Sequence, residues 1–251
     1  FGRKTLVNIS DLWPLSAVEL GAMREGGKIY DIFAWIERYI YRNADGIFGQ
    51  SEEIIRHVNQ FPSTKNKFVY RNLQQYAVAA QPKRKHTPFR IVYAGLLGVA
   101  QDIYSIIENI PFQSIGAEFH LYGGGNQAEK IKEYINKHPG CFVYYHGYVK
   151  KEQIAEELSR YDASIVPLTV AIKGAVPSKI YDLIPIGIPI LFCGGGEGAE
   201  IVSKYYFGMV SKPHDFKQLH NNIIELINLP DEEYSTISKN CLDMAKNEFD
   251  F

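Results

Sequence analysis

The sequence holds few of the residues that ligate metals or form disulfides. Its three cysteines, Cys141, Cys193 and Cys241, lie far apart in 251 residues and form no CxxC pair. This spacing argues against a zinc site or a disulfide framework and favours a reducing compartment. The seven histidines show no metal-ligand spacing. We therefore expect no metal site.

Several short catalytic motifs are also missing. The chain has no GxSxG, HExxH, GxxxxGK[ST] or DxD sequence. Their absence disfavours serine hydrolases of that motif type, zincins and P-loop NTPases. DxD is the usual chelating motif for a sugar diphosphate held through Mg²⁺ or Mn²⁺. Without it, the charge of such a ligand has to be met by backbone N–H groups, helix dipoles and lysines.

Charge and hydropathy exclude two further classes. The net charge of −1 and a pI near 6.7 give no global attraction to nucleic acid or to an anionic membrane. No apolar run approaches the roughly 20 residues of a spanning helix, and there is no secretory signal. We expect a cytoplasmic protein that does not bind nucleic acid. The chain opens on Phe1 and enters a strand-like run almost at once, so we expect a fragment.

Strand and helix patterns alternate from Phe89 onward. Apolar runs alternate with segments in which isoleucines recur at helical spacing, as at Ile103, Ile106 and Ile110. This alternation predicts a parallel, doubly wound α/β sheet whose strands are apolar throughout, because helices cover both faces. The six predicted strands lie within residues 89–95, 117–125, 141–147, 162–168, 187–193 and 207–211.

Residues 1–80 show a separate pattern of strands and helices. Ser51 is placed as the N-cap of a helix with two glutamates in its first turn. A polar, basic, proline-flanked segment then follows, which we interpret as a solvated linker. We predict a first domain at 1–80, a linker at 81–88 and a second domain at 89–251.

Three predicted strands end in glycines. Gly95 and Gly98 follow the first strand of the second domain, and the other clusters are Gly123–Gly125 and Gly194–Gly198. Glycines at such positions serve tight turns, or they let the backbone approach a phosphate next to a helix N-terminus. All three clusters fall at the carboxyl edge of the sheet, where open α/β sheets bind their ligands.

The stretch "KGAVPSKIYDLIPIGIPILF" (173–192) places Lys179 three residues before Asp182 on one face of a predicted helix spanning Ser178–Pro185. One interpretation is a surface ion pair. The other has Lys179 facing a diphosphate while the two oxygens of Asp182 accept hydrogen bonds from ribose hydroxyls. Spacing alone leaves both open.

Motifs along the whole chain resemble the family-4 glycosyltransferases of GT-B fold, in the branch that assembles bacterial surface polysaccharides. "DLWPLSAVELGAM" (11–23), "ERYIYRNADGIFGQSEEI" (37–54) and "YAGLLGVAQD" (93–102) are similar to segments of that branch. "GAVPSKIYDLIPIGIPIL" (174–191) resembles its donor-site helix, and "GGGEGAEIV" (194–202) resembles the loop and turn that follow it. Order and spacing are kept over some 240 residues.

The resemblance implies two Rossmann-like domains, the first incomplete here because such a domain is about twice as long as residues 1–80. It also assigns roles to residues of this chain. Lys179 and Asp182 are the implied catalytic residues, with Asp182 at the ribose. Gly95, Leu97, Gly98, Ser178 and Lys179 border the diphosphate, Gly147 and Tyr148 the base, and Lys173, Gly174, Ala175 and Val176 the donor sugar.

The implied activity is transfer of a sugar from a nucleotide-diphosphate sugar to a lipid-linked or oligosaccharide acceptor, with retention of configuration and without metal or cofactor. The family's E-x7-E pattern is altered, since Gly174 replaces the first glutamate and Asp182 the second. For Leu12–Met23 we favour burial of the apolar side chains in the core of the first domain, and peripheral contact with the inner membrane face is the alternative. A sugar-nucleotide 2-epimerase and a non-catalytic nucleotide-sugar-binding subunit stay open as alternatives, as does uridine against guanosine.

Overall fold

A computed structural model describes residues 3–61, 66–71, 79 and 81–249. The chain divides into two compact units. The first comprises Phe1–Asn72 with the segments Val170–Ser178 and Gly195–Gly198, and the second comprises Leu73–Thr169, Lys179–Gly194 and Ala199–Phe251. Residue 80, the predicted end of the first domain, lies outside the described residues.

The first unit contains a three-stranded parallel sheet in the order β1-β2-β3. Its elements are β1 (Leu6–Ile9), α1 (Leu15–Glu19), α2 (Lys28–Asn43), β2 (Gly46–Gly49), α3 (Glu52–Val58) and β3 (Asn66–Val69). Ser51 is the N-cap of α3, since its hydroxyl accepts the amide of Ile54 at 3.0 Å. This confirms the cap that the sequence predicts.

The core of the first unit is small. Leu12, Ile47, Ile54 and Val58 are completely buried in it. The apolar side of α2 is exposed, with Trp35 61% accessible. In the segment Leu12–Met23, only part of the apolar surface is buried, because Trp13 and Leu20 are also exposed.

The second unit contains a six-stranded, fully parallel sheet in the order β6-β5-β4-β7-β8-β9. The strands are β4 (Phe89–Ala94), β5 (Ala117–Tyr122), β6 (Val143–Gly147), β7 (Ala163–Pro167), β8 (Ile190–Cys193) and β9 (Gly208–Ser211). The strand order reverses between β4 and β7, as in doubly wound nucleotide-binding sheets. This confirms the predicted α/β class and the six predicted strands.

Helices flank this sheet and complete its core. They are α4 (Ile103–Asn109), α5 (Ala128–Lys137), α6 (Ile154–Leu158), α7 (Lys179–Leu183), α8 (Gly196–Lys204), α9 (Phe216–Asn228) and α10 (Asp231–Phe249). Helix α7 is shorter than predicted because the chain tightens into a 3-10 turn at Ile184–Ile186, around Pro185. No helix of the described residues has the length and hydropathy to cross a bilayer.

Residues 81–88, predicted to be a solvated linker, are instead anchored on the second unit. The amide of Lys83 donates to Ser238 Oγ at 2.8 Å, and Lys85 Nζ donates to the carbonyl of Ile227 at 3.0 Å. His86 Nδ1 lies 2.7 Å from the buried carboxylate of Asp162. The lysines of this segment therefore stabilise helix ends and loops of the second unit.

Candidate donor site

A cavity of about 370 Å³ opens at the carboxyl edge of the second sheet, within the second unit. Residues that follow β4, β5 and β6 line it, and α7 closes one side. Its volume is within the range of small-molecule sites, which are commonly about 300–1,000 Å³. Of the predicted site residues, Gly95, Tyr148, Lys179 and Asp182 line this cavity.

Glycines allow the loops after β4 and β5 to pack directly on each other. A Cβ atom on Gly123, which has φ +121°, would lie 1.9 Å from the carbonyl oxygen of Gly95. A Cβ atom on Gly125 would lie 2.4 Å from the carbonyl oxygen of Leu97. Glycine is therefore required sterically at both positions, since no side chain fits between the two backbones.

The loop after β4 is fixed by hydrogen bonds and still presents free donors. The amide of Gly95 donates to the carbonyl of Tyr122 at 3.0 Å, and that of Leu97 to the carbonyl of Gly124 at 2.8 Å. Within the described part of the chain, the amides of Leu96 and Gly98 have no acceptor. Unpaired backbone N–H groups bind phosphate oxygens where the chain is exposed, as it is at Leu96.

Lys179 brings a cation to this loop. A Cβ atom on Gly95 would lie 2.5 Å from Lys179 Cε and 2.6 Å from Nζ, so the lysine crosses the loop where no side chain interferes. Among the described residues, Nζ has no ion-pair or hydrogen-bond partner. Burial lowers the pKa of Lys179, and the nearby charge of Asp182 opposes this effect.

Asp182 supplies an unpaired acceptor. Its Oδ1 atom is buried, and no described residue donates to it. Burial raises the pKa of Asp182, while Lys179 and Lys151 act in the opposite direction. Lys179 and Asp182 also lie too far apart for an ion pair, so the simple surface ion pair is not formed. Both groups are held at the cavity wall without the partners that such buried polar groups normally have.

The rest of the cavity wall is largely apolar and aromatic. Val149, Ile154, Leu158 and Leu183 contribute aliphatic surface. The ring of Tyr148, 84% accessible, lies over Gly124, where a Cβ atom would come within 2.0 Å of the hydroxyl oxygen. Apolar walls with a few placed polar groups are typical of ligand sites.

Other predicted site residues lie away from the cavity lining. The side chain of Leu97 is completely buried in the core, and Gly98 is also buried. Gly147 accepts the amide of Gly123 through its carbonyl at 2.7 Å, so its contribution is to hold that loop. Ser178 is exposed directly before α7, whose five residues provide only a small helix dipole.

Lys173, Gly174, Ala175 and Val176 belong to the first unit. The amide of Gly174 donates to Glu53 Oε2 at 2.7 Å, and its carbonyl accepts the hydroxyl of Ser51 at 2.7 Å. Gly174 has φ +80°, and a Cβ atom would lie 2.8 Å from Ile54. The segment is thus fixed on the N-terminus of α3.

Sequence reasoning missed several residues of the site. Tyr93, Leu96 and Tyr122 lie at or beneath the cavity. Tyr93 and Leu96 flank the predicted Gly95, and Tyr122 directly precedes the predicted cluster Gly123–Gly125, so position relative to the glycines is the signal that could have found them. In the first unit, sequence reasoning also missed Glu53, which accepts the Gly174 amide. Nothing in the sequence pattern pairs Glu53 with Gly174, because 121 positions separate them.

Comparison with solved structures places this architecture among known folds. TarM of S. aureus, solved as a point mutant with fondaparinux, α-GlcNAc-glycerol and UDP, shares 18% identity at a TM-score of 0.67, over 90% of this chain and 46% of TarM. Anabaena HepE with UDP-glucose shares 15% identity at a TM-score of 0.70, over 99% of this chain and 69% of HepE. Sucrose-phosphate synthase of Thermosynechococcus elongatus shares 16% identity at 0.69, over 100% of this chain and 65% of the synthase.

These similarities confirm the predicted GT-B-like fold class. The chain spans less than half the length of TarM. Comparison with curated proteins gives no match. The sequence family described as glycosyl transferases group 1 matches residues 88–229, which are more than half of the chain and contain all six strands of the second sheet. The chain therefore belongs to the group 1 glycosyltransferases.

Proposed function

We propose that the cavity of the second unit binds the nucleoside diphosphate of a sugar donor, and that the protein to which this chain belongs transfers that sugar. The observation that carries the proposal is the pair of unpartnered groups at the cavity wall, Lys179 Nζ and Asp182 Oδ1. A diphosphate and a ribose supply the missing partners, respectively an anion and a pair of hydroxyl donors.

The residues suggest how the reaction is assisted. When the sugar–diphosphate bond breaks, negative charge grows on the departing diphosphate. The Lys179 ammonium and the amide of Leu96 are preorganised donors that stabilise this charge in the transition state. The carboxylate of Asp182 fixes the ribose and so orients the donor.

Uridine is the nucleoside that the comparisons favour. The TarM structure contains UDP, and the HepE structure contains UDP-glucose. The structure of the pneumococcal O-GlcNAc transferase GtfA contains UDP and GlcNAc. We therefore propose a UDP-sugar donor. The apolar wall at Ile154 and Leu158 and the ring of Tyr148 provide the surface for the base.

Metal independence is part of the proposal. The sequence lacks DxD, and the described residues contain no group of three or more His, Cys, Asp or Glu side chains suited to hold a metal ion. Lys179 and backbone amides then carry the whole charge of the diphosphate.

The acceptor side of the proposal follows the family resemblance. We propose a lipid-linked or oligosaccharide acceptor in surface polysaccharide synthesis, with retention of configuration. The exposed side chains of Trp13 and Leu20 support peripheral contact with the inner face of a membrane. The assignment of Lys173, Gly174, Ala175 and Val176 to the donor sugar stays a prediction.

Product analysis tests the function. The chain is incubated with UDP-glucose or UDP-GlcNAc and a lipid-linked glycan, and the nucleotide and sugar products are separated. Release of UDP together with an extended glycan supports the proposal. An isomerised sugar nucleotide would instead indicate a 2-epimerase, and binding without turnover would indicate a nucleotide-sugar-binding subunit.

A further inference from the structure

Tyr93, near the end of β4, contacts the loop after β4 and lies beside Lys179. In the proposed function, this loop and this lysine bind the diphosphate. Its side chain is completely buried beneath the cavity, and burial raises the pKa of its hydroxyl, which therefore stays protonated. The hydroxyl donates to the carbonyl oxygen of Leu96 at 2.6 Å. On one face of the ring, Lys179 Nζ lies 5.7 Å from the centroid.

The hydroxyl of Tyr93 fixes one peptide plane. The peptide between Leu96 and Leu97 donates its N–H to Gly124 on one side and accepts the Tyr93 hydroxyl on the other. With both of its polar groups bound, this peptide cannot rotate without breaking a hydrogen bond in the protein interior. The amides of Leu96 and Gly98, which have no acceptor among the described residues, flank it directly.

The ring of Tyr93 supports the cation. Within about 6 Å of an aromatic face an ammonium is attracted to the ring quadrupole, and the attraction increases as water is removed. Lys179 has no carboxylate partner among the described residues, so the ring holds the ammonium without neutralising its charge. A carboxylate in the same place would hold the lysine but would repel a phosphate.

We infer that Tyr93 is a positioning residue for phosphate recognition: its hydroxyl sets the direction of the Leu96 amide, and its ring holds the Lys179 ammonium beside it. The inference rests on the proposed function, because it concerns the same ligand. Tyr93 acts through these groups and does not line the cavity itself.

A substitution that removes only the hydroxyl tests the first part. Tyr93→Phe keeps the ring under Lys179 and leaves the Leu96 carbonyl without its donor. Tyr234→Phe is the matched control, since Tyr234 is equally buried and its hydroxyl donates to the carbonyl of Asp162 at 2.7 Å, away from the cavity lining. We expect similar losses of thermal stability in both variants.

The binding readout separates positioning from a general structural effect. We expect Tyr93→Phe to weaken UDP binding about tenfold while its affinity for uridine, which has no phosphate, stays that of the unsubstituted chain. Tyr234→Phe is expected to change neither affinity. Equal loss of UDP and uridine binding in Tyr93→Phe, or an unchanged UDP affinity, would overturn the inference.

A measurement on the unsubstituted chain covers the case in which Tyr93→Phe does not fold. Addition of UDP is expected to shift the backbone amide resonance of Leu96, whereas addition of uridine is not. If UDP binds and the Leu96 resonance stays in place, the inference fails and the proposed function survives. If UDP does not bind the unsubstituted chain, it is the proposed function that fails.

Discussion

At the scale of single residues, the site is recognisable by charges and acceptors that have no partner. Natural proteins pair nearly all buried polar groups, so exceptions call for an explanation. The buried Oδ1 atom of Asp182 is one such exception. The half-buried ammonium of Lys179, which has no ion-pair or hydrogen-bond partner among the described residues, lines the same cavity. A site that keeps such groups unpaired gives up stability for the ability to bind a ligand.

Removing the cation tests this directly. Lys179→Met is expected to weaken UDP binding at least about tenfold, roughly 1.4 kcal/mol, because a principal counter-charge of the diphosphate is lost. Thermal stability of the unliganded chain is expected to stay the same or rise, because a half-buried unpaired charge is removed. Calorimetric titration and thermal unfolding measure the two effects.

Lys137→Met is the control for that variant. Lys137 forms an exposed pair with Glu133 on α5, with 3.6 Å between Nζ and Oε2. Such surface pairs contribute at most about 1 kcal/mol. We expect this variant to bind UDP normally, and an equal effect of both substitutions would contradict a specific role for Lys179.

Asp182 predicts a pH dependence of nucleoside binding. Its pKa is raised by burial, so its carboxylate takes up a proton at a higher pH than an ordinary aspartate does. Only the ionised form offers both oxygens to two ribose hydroxyls. Uridine affinity is therefore expected to fall as the pH decreases. The fall should begin at a higher pH than an ordinary aspartate, whose pKa is about 4, would produce.

Uridine is the appropriate probe because it has no phosphate that titrates in that range. Titrations over roughly pH 4 to 7 measure the effect. Asp182→Asn is expected to bind uridine weakly and independently of pH. A pH profile shared by the variant and the unsubstituted chain would show that another group is responsible.

At the scale of secondary-structure elements, the close approach of the loops after β4 and β5 shapes the cavity. A strained backbone conformation alone costs about 1–3 kcal/mol of stability. Gly123→Ala is expected to destabilise the chain by more than this, because the new methyl group also clashes with the Gly95 carbonyl oxygen. The loop displacement should also reduce UDP affinity. Chemical denaturation and UDP titration provide the measurements.

Gly116→Ala is the control that separates the cost of backbone strain from the cost of the clash with Gly95. Gly116 has φ +69° and open space where a Cβ atom would be placed, so its substitution costs only the left-handed conformation, about 1–2 kcal/mol. We expect its UDP affinity to stay normal. Similar costs for both variants would mean that the two loops are not as tightly packed as described.

The N-terminus of α3 fixes the segment that carries Gly174. Glu53→Ala is expected to increase hydrogen exchange at the Gly174 amide about tenfold to a hundredfold, because a charge-assisted hydrogen bond of about 1.5–3 kcal/mol is lost. Glu53→Gln keeps an acceptor and should restore most of the protection. Glu52→Ala, on the neighbouring exposed residue, should have no effect, and unaltered exchange in Glu53→Ala would contradict the contact.

The sequence predicted the strands of the second sheet but not all the contacts that fix the site, and the difference has physical reasons. The six strands of the second sheet were predictable because each is an apolar run buried on both faces, as in "ASIVP" of β7. The spacing of Lys179 and Asp182 predicted a shared helix face, whereas the resemblance to the family-4 branch predicted their role at the donor. Tyr93 was missed although its contact is local, because the sequence pattern does not show which carbonyl a buried tyrosine hydroxyl reaches. Glu53 left no local pattern, since the amide that it binds lies 121 positions away.

At the scale of the whole molecule, the family and the fold class are established, and the donor is proposed from the cavity. The sequence family covers residues 88–229, which include all the cavity-lining positions. The resemblance to the family-4 branch predicted the GT-B-like class from motif order. The acceptor and the domain boundaries stay predictions, because the chain spans only part of the structures that it resembles.

The most direct measurement is a calorimetric titration of the chain with UDP, UMP and uridine in the presence of EDTA. Backbone amides and one lysine then have to hold the diphosphate without a divalent ion. We predict that UDP binds in EDTA, more tightly than UMP, and that UMP binds more tightly than uridine. Absence of UDP binding, or UDP binding that appears only after Mg²⁺ or Mn²⁺ is added in excess of EDTA, would contradict the account.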